Sequence, residues 1–404
     1  MDFNLSAKSQ DYLQRVRKFI NEEILPIEDD YFRQLKALDN PWVVLPIIDE
    51  LKAKAKAQGL WNMFMPVEPY GAGLTTEEYA PIAEETGRSF IAPEIFNCNA
   101  PDTGNMEVLI HYGSEAQKQQ WLPKLLSGEI RSAFCMTEPD VASSDATNMA
   151  ATAFIEGDEV VLNGCKWWST GIGHPNCEMI IFMGLTYPEA NRHQQHSMVL
   201  VPVNTPGVKV ERMLSVFGEY DEPYGHGEVS FTNVRLPKSA FIAGPGRGFE
   251  VAQGRLGPGR IHHAMRTIGA AERALELLIK RSLSRQAFGK NLVDLGGNKE
   301  FIAEARMAIE QARLLTMKAA WTIDNYGVKE AMSAVSQIKV VAPNILQMIV
   351  DKAIQIHGGA GLCEDFPLTM LFATARSLRI ADGPDEVHRA LIAKLELKKY
   401  RTKA

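Results

Sequence analysis

Cysteine is scarce in this 404-residue chain: there are five, at positions 98, 135, 165, 177 and 363, and no two form a C-x-x-C pair. An odd number of scattered thiols argues against a disulfide framework and against a structural zinc site, and fits reduced thiols in an intracellular compartment. Basic residues are not in excess either. A net charge of -6 and a pI near 5.9 exclude a general nucleic-acid binder, which needs a positive surface to neutralise phosphates. Long apolar runs are missing too: the greasiest stretch, Ile345 to Ile356, is broken by Gln347, Asp351 and Lys352, short of the roughly 18 residues a membrane span requires. No integral membrane segment is expected. The opening MDFNLSAKSQD has an early acid and no apolar h-region, so neither a secretory signal nor an Arg-rich transit peptide is visible. The expected location is cytoplasmic, with the mitochondrial matrix or peroxisome applying only if a leader or longer chain has been removed.

Several catalytic signatures are absent as well. There is no G-x-x-x-x-G-K-[ST], no G-x-G-x-x-G following a strand with an acid about twenty residues on, and no G-x-S-x-G elbow. A P-loop, a dinucleotide fingerprint and a hydrolase nucleophile are therefore all lacking. His262-His263 is a poor metal site, because neighbours on a helix point about 100° apart and cannot chelate one ion side by side. No metal is expected.

What remains is an ordinary globular composition, 46% hydrophobic and 23% charged, with length for two or three packed units. Periodicity divides the chain into three regions. Residues 1–130 are mostly helical, with Tyr12, Val16, Phe19 and Ile20 recurring at three- and four-residue steps and a Thr75/Glu78 capping box opening another helix. Residues 131–240 carry strand signals, including a hairpin about Gly157-Asp158. Residues 241–404 return to long amphipathic helices. The expected fold class is α+β and multidomain: an N-terminal helical domain, a central β-barrel or sandwich domain, and a C-terminal four-helix bundle.

Between Cys135 and Thr170 the strand region is crowded with hydroxyls and holds a Trp pair. Such a stretch suits a planar cofactor with polar edges: strands give a rigid platform, Thr137, Ser144 and Thr170 supply hydrogen bonds, and Trp167 or Trp168 covers an aromatic face.

Six stretches then stand in order: YGSEAQKQQWLPKLLSGE (112–129), CMTEPD with Ser144-Asp145, LNGCKWWST (162–170), SRQAFGK (284–290), AIQIHGGAG (353–361) and RIADGPDEV (379–387). Together they closely resemble the acyl-CoA dehydrogenase family over nearly the whole chain. DGPDEVH and KWWSTG look most like the subgroup whose longer members carry a kinase-like domain and are associated with longer or hydroxylated acyl chains. The resemblance implies FAD bound partly across a subunit interface in a homodimer or homotetramer, an acyl-CoA substrate, and electron-transfer flavoprotein as electron acceptor. It puts Met136, Thr137, Ser144, Trp168 and Thr170 around the isoalloxazine and ribityl chain, with Ser144 also facing substrate. Arg285, Phe288 and Gly289 match the element reaching a neighbour's FAD, while Gln355, Gly358 and Gly359 suit the diphosphate. Glu386 falls where the adenosine half is often met by a glutamine.

Arg260, at the start of the first bundle helix, matches a family arginine near the thioester. Gly259 stands where some members carry the catalytic glutamate, which a glycine cannot replace. Asp382-Gly383 occupies the place of a Glu-Gly in many other members, so Asp382 is the implied base, with Gly383 beside the thioester. A helix N-cap is the competing reading of D-G-P-D-E, and Asp385 and Glu386 read as first-turn acids. The implied reaction is α,β-dehydrogenation to a trans-2-enoyl-CoA by α-proton abstraction and hydride transfer to flavin N5, a step of fatty acid β-oxidation. An acyl-CoA oxidase, a nitroalkane-oxidase-like flavoenzyme and a non-catalytic acyl-CoA-binding protein are the alternatives.

Overall fold

The computed structural model describes residues 4–401. Seven helices come first: α1 (Ala7–Phe19), α2 (Leu25–Lys36), α3 (Pro46–Ala57), α4 (Thr76–Thr86), α5 (Ala92–Ile95), α6 (Asp102–Tyr112) and α7 (Glu115–Ser127). The capping box expected at Thr75 opens α4: Thr75 Oγ1 accepts from the Glu78 N–H, and the Glu78 carboxylate accepts from the Thr75 N–H. Seven strands follow: β1 (Arg131–Cys135), β2 (Thr152–Glu156), β3 (Glu159–Thr170), β4 (Cys177–Leu185), β5 (His196–Pro202), β6 (Val208–Leu214) and β7 (His226–Pro237). The C-terminal part holds α8 (Gly248–Ser284), a short hairpin of β8 (Gln286–Ala287) and β9 (Lys290–Asn291), then α9 (Asn298–Tyr326), α10 (Val328–His357), α11 (Leu368–Leu378) and α12 (Asp385–Arg401). Helical, β and helical domains thus succeed one another as the periodicity implied. The short α11 went unread in the sequence. Arg260 also needs a correction: it lies inside α8, which begins at Gly248, and not at the helix start.

The chain divides into two compact units. One contains residues 1–26, 73–93 and 257–404, the other residues 27–72 and 94–256. In the second unit the strands form one sheet in the order β1-β4-β2-β3-β7-β6, with β5 paired to β4. β2 and β3 make a tight hairpin closed by Glu156 opposite Glu159, with Gly157 at φ +57°, as the Gly-Asp pair implied. Two strand groups, β2-β3-β7 and β1-β4-β5, turn Val160, Leu162, Val229 and Phe231 from one and Ala133, Ile180, Phe182 and Val199 from the other into a single core.

A buried ionic cluster sits in the same unit. Glu94 of α5 pairs with Arg131 of β1 and with Lys52 Nζ of α3 at 2.5 Å. Arg131 also donates to Asn97 Oδ1 at 2.6 Å, and Asp102 accepts from the Ser132 N–H and hydroxyl at 2.7 and 2.6 Å. Burial would push the Glu94 carboxyl up, but the two cations dominate and hold it at about 2. In the first unit, α10 and its short extension to Gly361 are long and apolar enough by composition to cross a membrane. Half of that apolar window is buried against the rest of the structure, and α10 packs on α9, α11 and α12 as the central helix of a bundle.

Removing the shared anion of the cluster leaves two buried cations facing Asp102 alone. Glu94→Gln is expected to cost about 3–5 kcal/mol, read as a lowered urea midpoint; a loss under about 1 kcal/mol would show that the cluster is hydrated and weak.

Candidate active site

Two groups of residues carry the site features, one in each unit. In the second unit the platform is made by an irregularity in β3. Lys166 pairs with Val229 and Ser169 with Gly227, so β3 spends one more residue than β7 over that span, which is a β-bulge. Bulges re-aim side chains. Here Trp168 takes φ +52° and stays 40% exposed, while Trp167 turns its indole N–H to a buried position where it meets no hydrogen-bond partner among the described residues. Thr170 Oγ1 lies 2.9 Å from His226 Nδ1, and the His226 ring sits 5.8 Å from that of Trp168.

The same bulge is tied to the segment after β1. Lys166 Nζ donates to the Met136 carbonyl at 2.9 Å and to the Glu138 carboxylate at 2.6 Å, and the Trp167 N–H donates to the Thr137 carbonyl at 2.9 Å. Glu138 also accepts from the N–H groups of Ala150 and Ala151, at 2.9 and 3.0 Å. One buried pair therefore closes the 139–149 loop and brings Met136 and Thr137 to the bulge that carries Trp168 and Thr170. Ser144 stays exposed on that loop. Lys166, Glu138 and His226 went unnoticed in the sequence, although Lys166 lies inside LNGCKWWST.

In the first unit the loop from α11 to α12 holds Asp382 at φ +54° and Gly383 at φ +99°. Its backbone is gripped from below. The Asp382 carbonyl accepts from Arg260 Nη2 and faces His388 Nε2, each at 3.2 Å. A carbonyl only accepts, so His388 carries its proton on Nε2 and its Nδ1 faces the Ser336 hydroxyl at 3.3 Å. The Asp382 carboxylate lies 3.7 Å from His263 Nε2, with 27% of its side chain exposed. α12 begins at Asp385, so Asp382 stands three residues ahead of the helix.

Asp385, read from the sequence as a first-turn acid, is buried and accepts from Arg379 Nε and Asn344 Nδ2, both at 3.0 Å; it anchors the loop. Glu386 is exposed, 3.8 Å from Arg389. Arg260 is part-buried, its Nε meets no hydrogen-bond partner among the described residues, and burial lowers its proton affinity against the pull of Asp382.

The remaining expected residues lie elsewhere in this unit. Phe288 and Gly289 form the tip of the β8-β9 hairpin, at φ +52° and +75°, the two positive values that a type I′ turn demands. Phe288 is 95% exposed, and Arg285 is exposed at the hairpin's base. Gly358 caps α10 at φ +63° with its N–H directed to the Gln355 and Ile354 carbonyls. Gln355, Gly358 and Gly359 are all exposed, and a Cβ on either glycine would meet no protein atom within 4 Å. A cavity of 1160 Å³ in this unit, lined by Arg17, Glu84, Glu272 and Arg313 among others, holds none of the expected residues. Its guanidinium groups are paired with its own carboxylates.

The chain matches the N-terminal, middle and C-terminal domain models of acyl-CoA dehydrogenase over residues 6–129, 133–234 and 246–397. It belongs to the acyl-CoA dehydrogenase family. A solved acyl-CoA dehydrogenase-family structure from Mycobacterium abscessus is 62% identical with a TM-score of 0.96, covering 98% of this chain and 100% of that one. "Probable acyl-CoA dehydrogenase FadE2" of Mycobacterium tuberculosis is 52% identical across 100% of this chain and 98% of its own length. Acyl-CoA dehydrogenase family member 11 of Gallus gallus is 53% identical over 98% of this chain. The chain spans 51% of that relative's length and 37% of mouse family member 10.

Three imidazoles, His174, His226 and His388, are each pushed down to about 4, chiefly by burial. An unfolded imidazole titrates near 6.5, so between roughly pH 6.5 and 4 the unfolded chain binds more protons and stability falls with pH, by at most on the order of 3 kcal/mol per ring. The expected urea midpoint drops through that window, and less steeply in His388→Gln. A midpoint flat over the window would show these rings to be hydrated.

Proposed function

We propose that this chain is an FAD-dependent acyl-CoA dehydrogenase that converts an acyl-CoA thioester into a trans-2-enoyl-CoA. The observation that carries the reading is the loop at Asp382: a half-buried carboxylate, set in a left-handed turn, with its own carbonyl held by a part-buried arginine. Met136, Thr137, Trp168 and Thr170 would hold the isoalloxazine. The exposed Trp168 face, the hydroxyl of Thr170 and the unmatched indole N–H of Trp167 suit a flat ring with polar edges. Gln355, Gly358 and Gly359 would receive the diphosphate, since backbone N–H groups approach it closely only where no Cβ intervenes. Ser144 and Glu386 would add contacts to the ribityl and adenosine parts. FAD bound there supplies the hydride acceptor.

The protein's own part is proton chemistry. Asp382 takes the proton from the carbon α to the thioester, and backbone N–H groups at Asp382-Gly383 offer hydrogen bonds to the thioester oxygen as negative charge grows on it. Arg260 supplies positive charge beneath that loop and so favours the ionised form of the base. The exposed Phe288 hairpin and Arg285 would meet the FAD of a second copy, which makes a homodimer or homotetramer the working assembly. Electrons would leave to an electron-transfer flavoprotein. The substrate belongs to the longer or hydroxylated acyl-CoA thioesters associated with the relatives' subgroup.

The test is anaerobic bleaching of the flavin across a panel of acyl-CoA thioesters. Asp382→Asn is expected to retain FAD and to lose bleaching by on the order of 10³-fold or more. A variant that reduces its flavin at the parent rate would move the base elsewhere, and a colourless purified protein would replace the enzyme with an acyl-CoA-binding protein.

A further inference from the structure

Lys339 of α10 is buried at 3% exposure, and no motif or matched stretch draws attention to it. Its Nζ donates to the Leu378 carbonyl at 2.5 Å and to the Gly383 carbonyl at 3.4 Å. Leu378 is the last residue of α11, where an outward-facing carbonyl wants a donor and a cation is favoured. Gly383 follows Asp382 directly. The two acceptors therefore bracket the 379–383 segment that carries the proposed base, one just before it and one at its last residue.

We propose that Lys339 is a positioning residue for proton abstraction: its ammonium bridges both ends of the 379–383 segment and fixes where the Asp382 carboxylate stands. This rests on Asp382 acting as the base. The segment holds two consecutive residues at positive φ, a conformation that is strained for the non-glycine Asp382 and persists only when its surroundings over-determine it. Arg260 and His388 hold the middle of the turn through the Asp382 carbonyl, and Lys339 holds its ends. A buried ammonium is expensive to desolvate, and a methionine of similar length would fill the same space without that penalty. The charge is thus best explained by what it does to the loop and to the carboxylate beside it.

The charged and titratable groups facing this point come from α8, α10, α12 and the loop between α11 and α12. They are Arg260 and His263 from α8, Arg379 and Asp382 from the loop, Asp385 and His388 from α12, and Lys339 itself. Burial pushes the Lys339 ammonium down to about 8, against the attraction of Asp382 and Asp385 and with Arg260 adding to the fall. The bridge consequently loses its charge in mildly alkaline solution, and its removal by mutation deprives Asp382 of a nearby positive charge.

The experiment compares Lys339→Met and Lys339→Gln with the parent holoprotein, by hydrogen exchange and by single-turnover flavin bleaching against pH. In Lys339→Met the backbone amides of 379–383 are expected to exchange about 10-fold faster or more while those of α9 are unchanged. The maximal bleaching rate is expected to fall on the order of 10²-fold, with the half-saturating acyl-CoA concentration moving far less, as a misplaced group predicts. The acid limb should shift to higher pH in both variants, because the charge is gone from both. Only Lys339→Gln, which keeps one donor, should recover part of the exchange protection. Parent exchange together with an unmoved acid limb would overturn the proposal, and so would exchange that rises evenly through α8, α9 and α10, the mark of plain packing loss. Should Asp382→Asn bleach at the parent rate, the base assignment fails in that measurement, whereas the exchange rates of 379–383 report on the bridge separately.

Discussion

The chemistry proposed for this chain depends on a backbone that is held by its carbonyl groups. Three side chains from three different helices, Arg260, Lys339 and His388, direct nitrogens at the carbonyls of Leu378, Asp382 and Gly383. Side chains commonly bond to backbone, but here three of them converge on one short turn. Each donor so placed removes an alternative conformation from the loop. The result is a carboxylate whose position is set by the helical bundle and not by the loop's own preferences. Aspartate suits this turn, because short polar side chains tolerate the left-handed region.

A different solution positions the platform in the second unit. There the buried Lys166–Glu138 pair does for strands what the carbonyl grip does for the loop. A buried pair of this kind gains little net stability, because the desolvation of two ions offsets most of their attraction. Its effect is one of specificity. Glu138 accepts from Lys166, Ala150 and Ala151, and Lys166 donates onward to Met136, so a shift of the bulge by one residue would strand several buried polar groups together. The exposed face of Trp168 is presented at a register that cannot slip without that loss.

Much of this was legible in the sequence, and the division is physical. Periodicity exposed the long helices and the strand region because a buried face repeats at fixed spacing, and local chemistry exposed the Thr75 capping box and the Gly157 hairpin because both are closed by neighbours in the chain. Asp382, Thr170 and Trp168 were visible through motif resemblance. Lys339, His388 and Glu138 were not, for a common reason: each acts through a contact with residues distant in sequence or with backbone atoms, neither of which leaves a pattern of residue types. Asp385 is the first-turn acid that the sequence offered, and its second role went unread on the same account. Its type and place fit a first-turn acid, and only the approach of Arg379 and Asn344 makes it an anchor. Arg260 was placed at a helix start through the resemblance, whereas α8 begins at Gly248.

The features least explained by the chain's own packing point outward. Phe288 is the most exposed large apolar residue described, yet it stands on a hairpin whose two central residues occupy the conformations of a stiff two-residue turn. A phenyl ring so placed gains nothing from the fold that carries it, and exposing it costs solvation that a polar residue would avoid. Gly358 needs its positive φ to end α10, but Gly359 has an ordinary backbone and open space where a side chain would project. Folding alone therefore accounts for one glycine of the pair and leaves the other, with the phenyl ring, to be accounted for by a surface that closes over them. A diphosphate needing close backbone approach would use the glycine, and a second copy of the chain would cover the ring, which is what the proposed cofactor site and assembly would require.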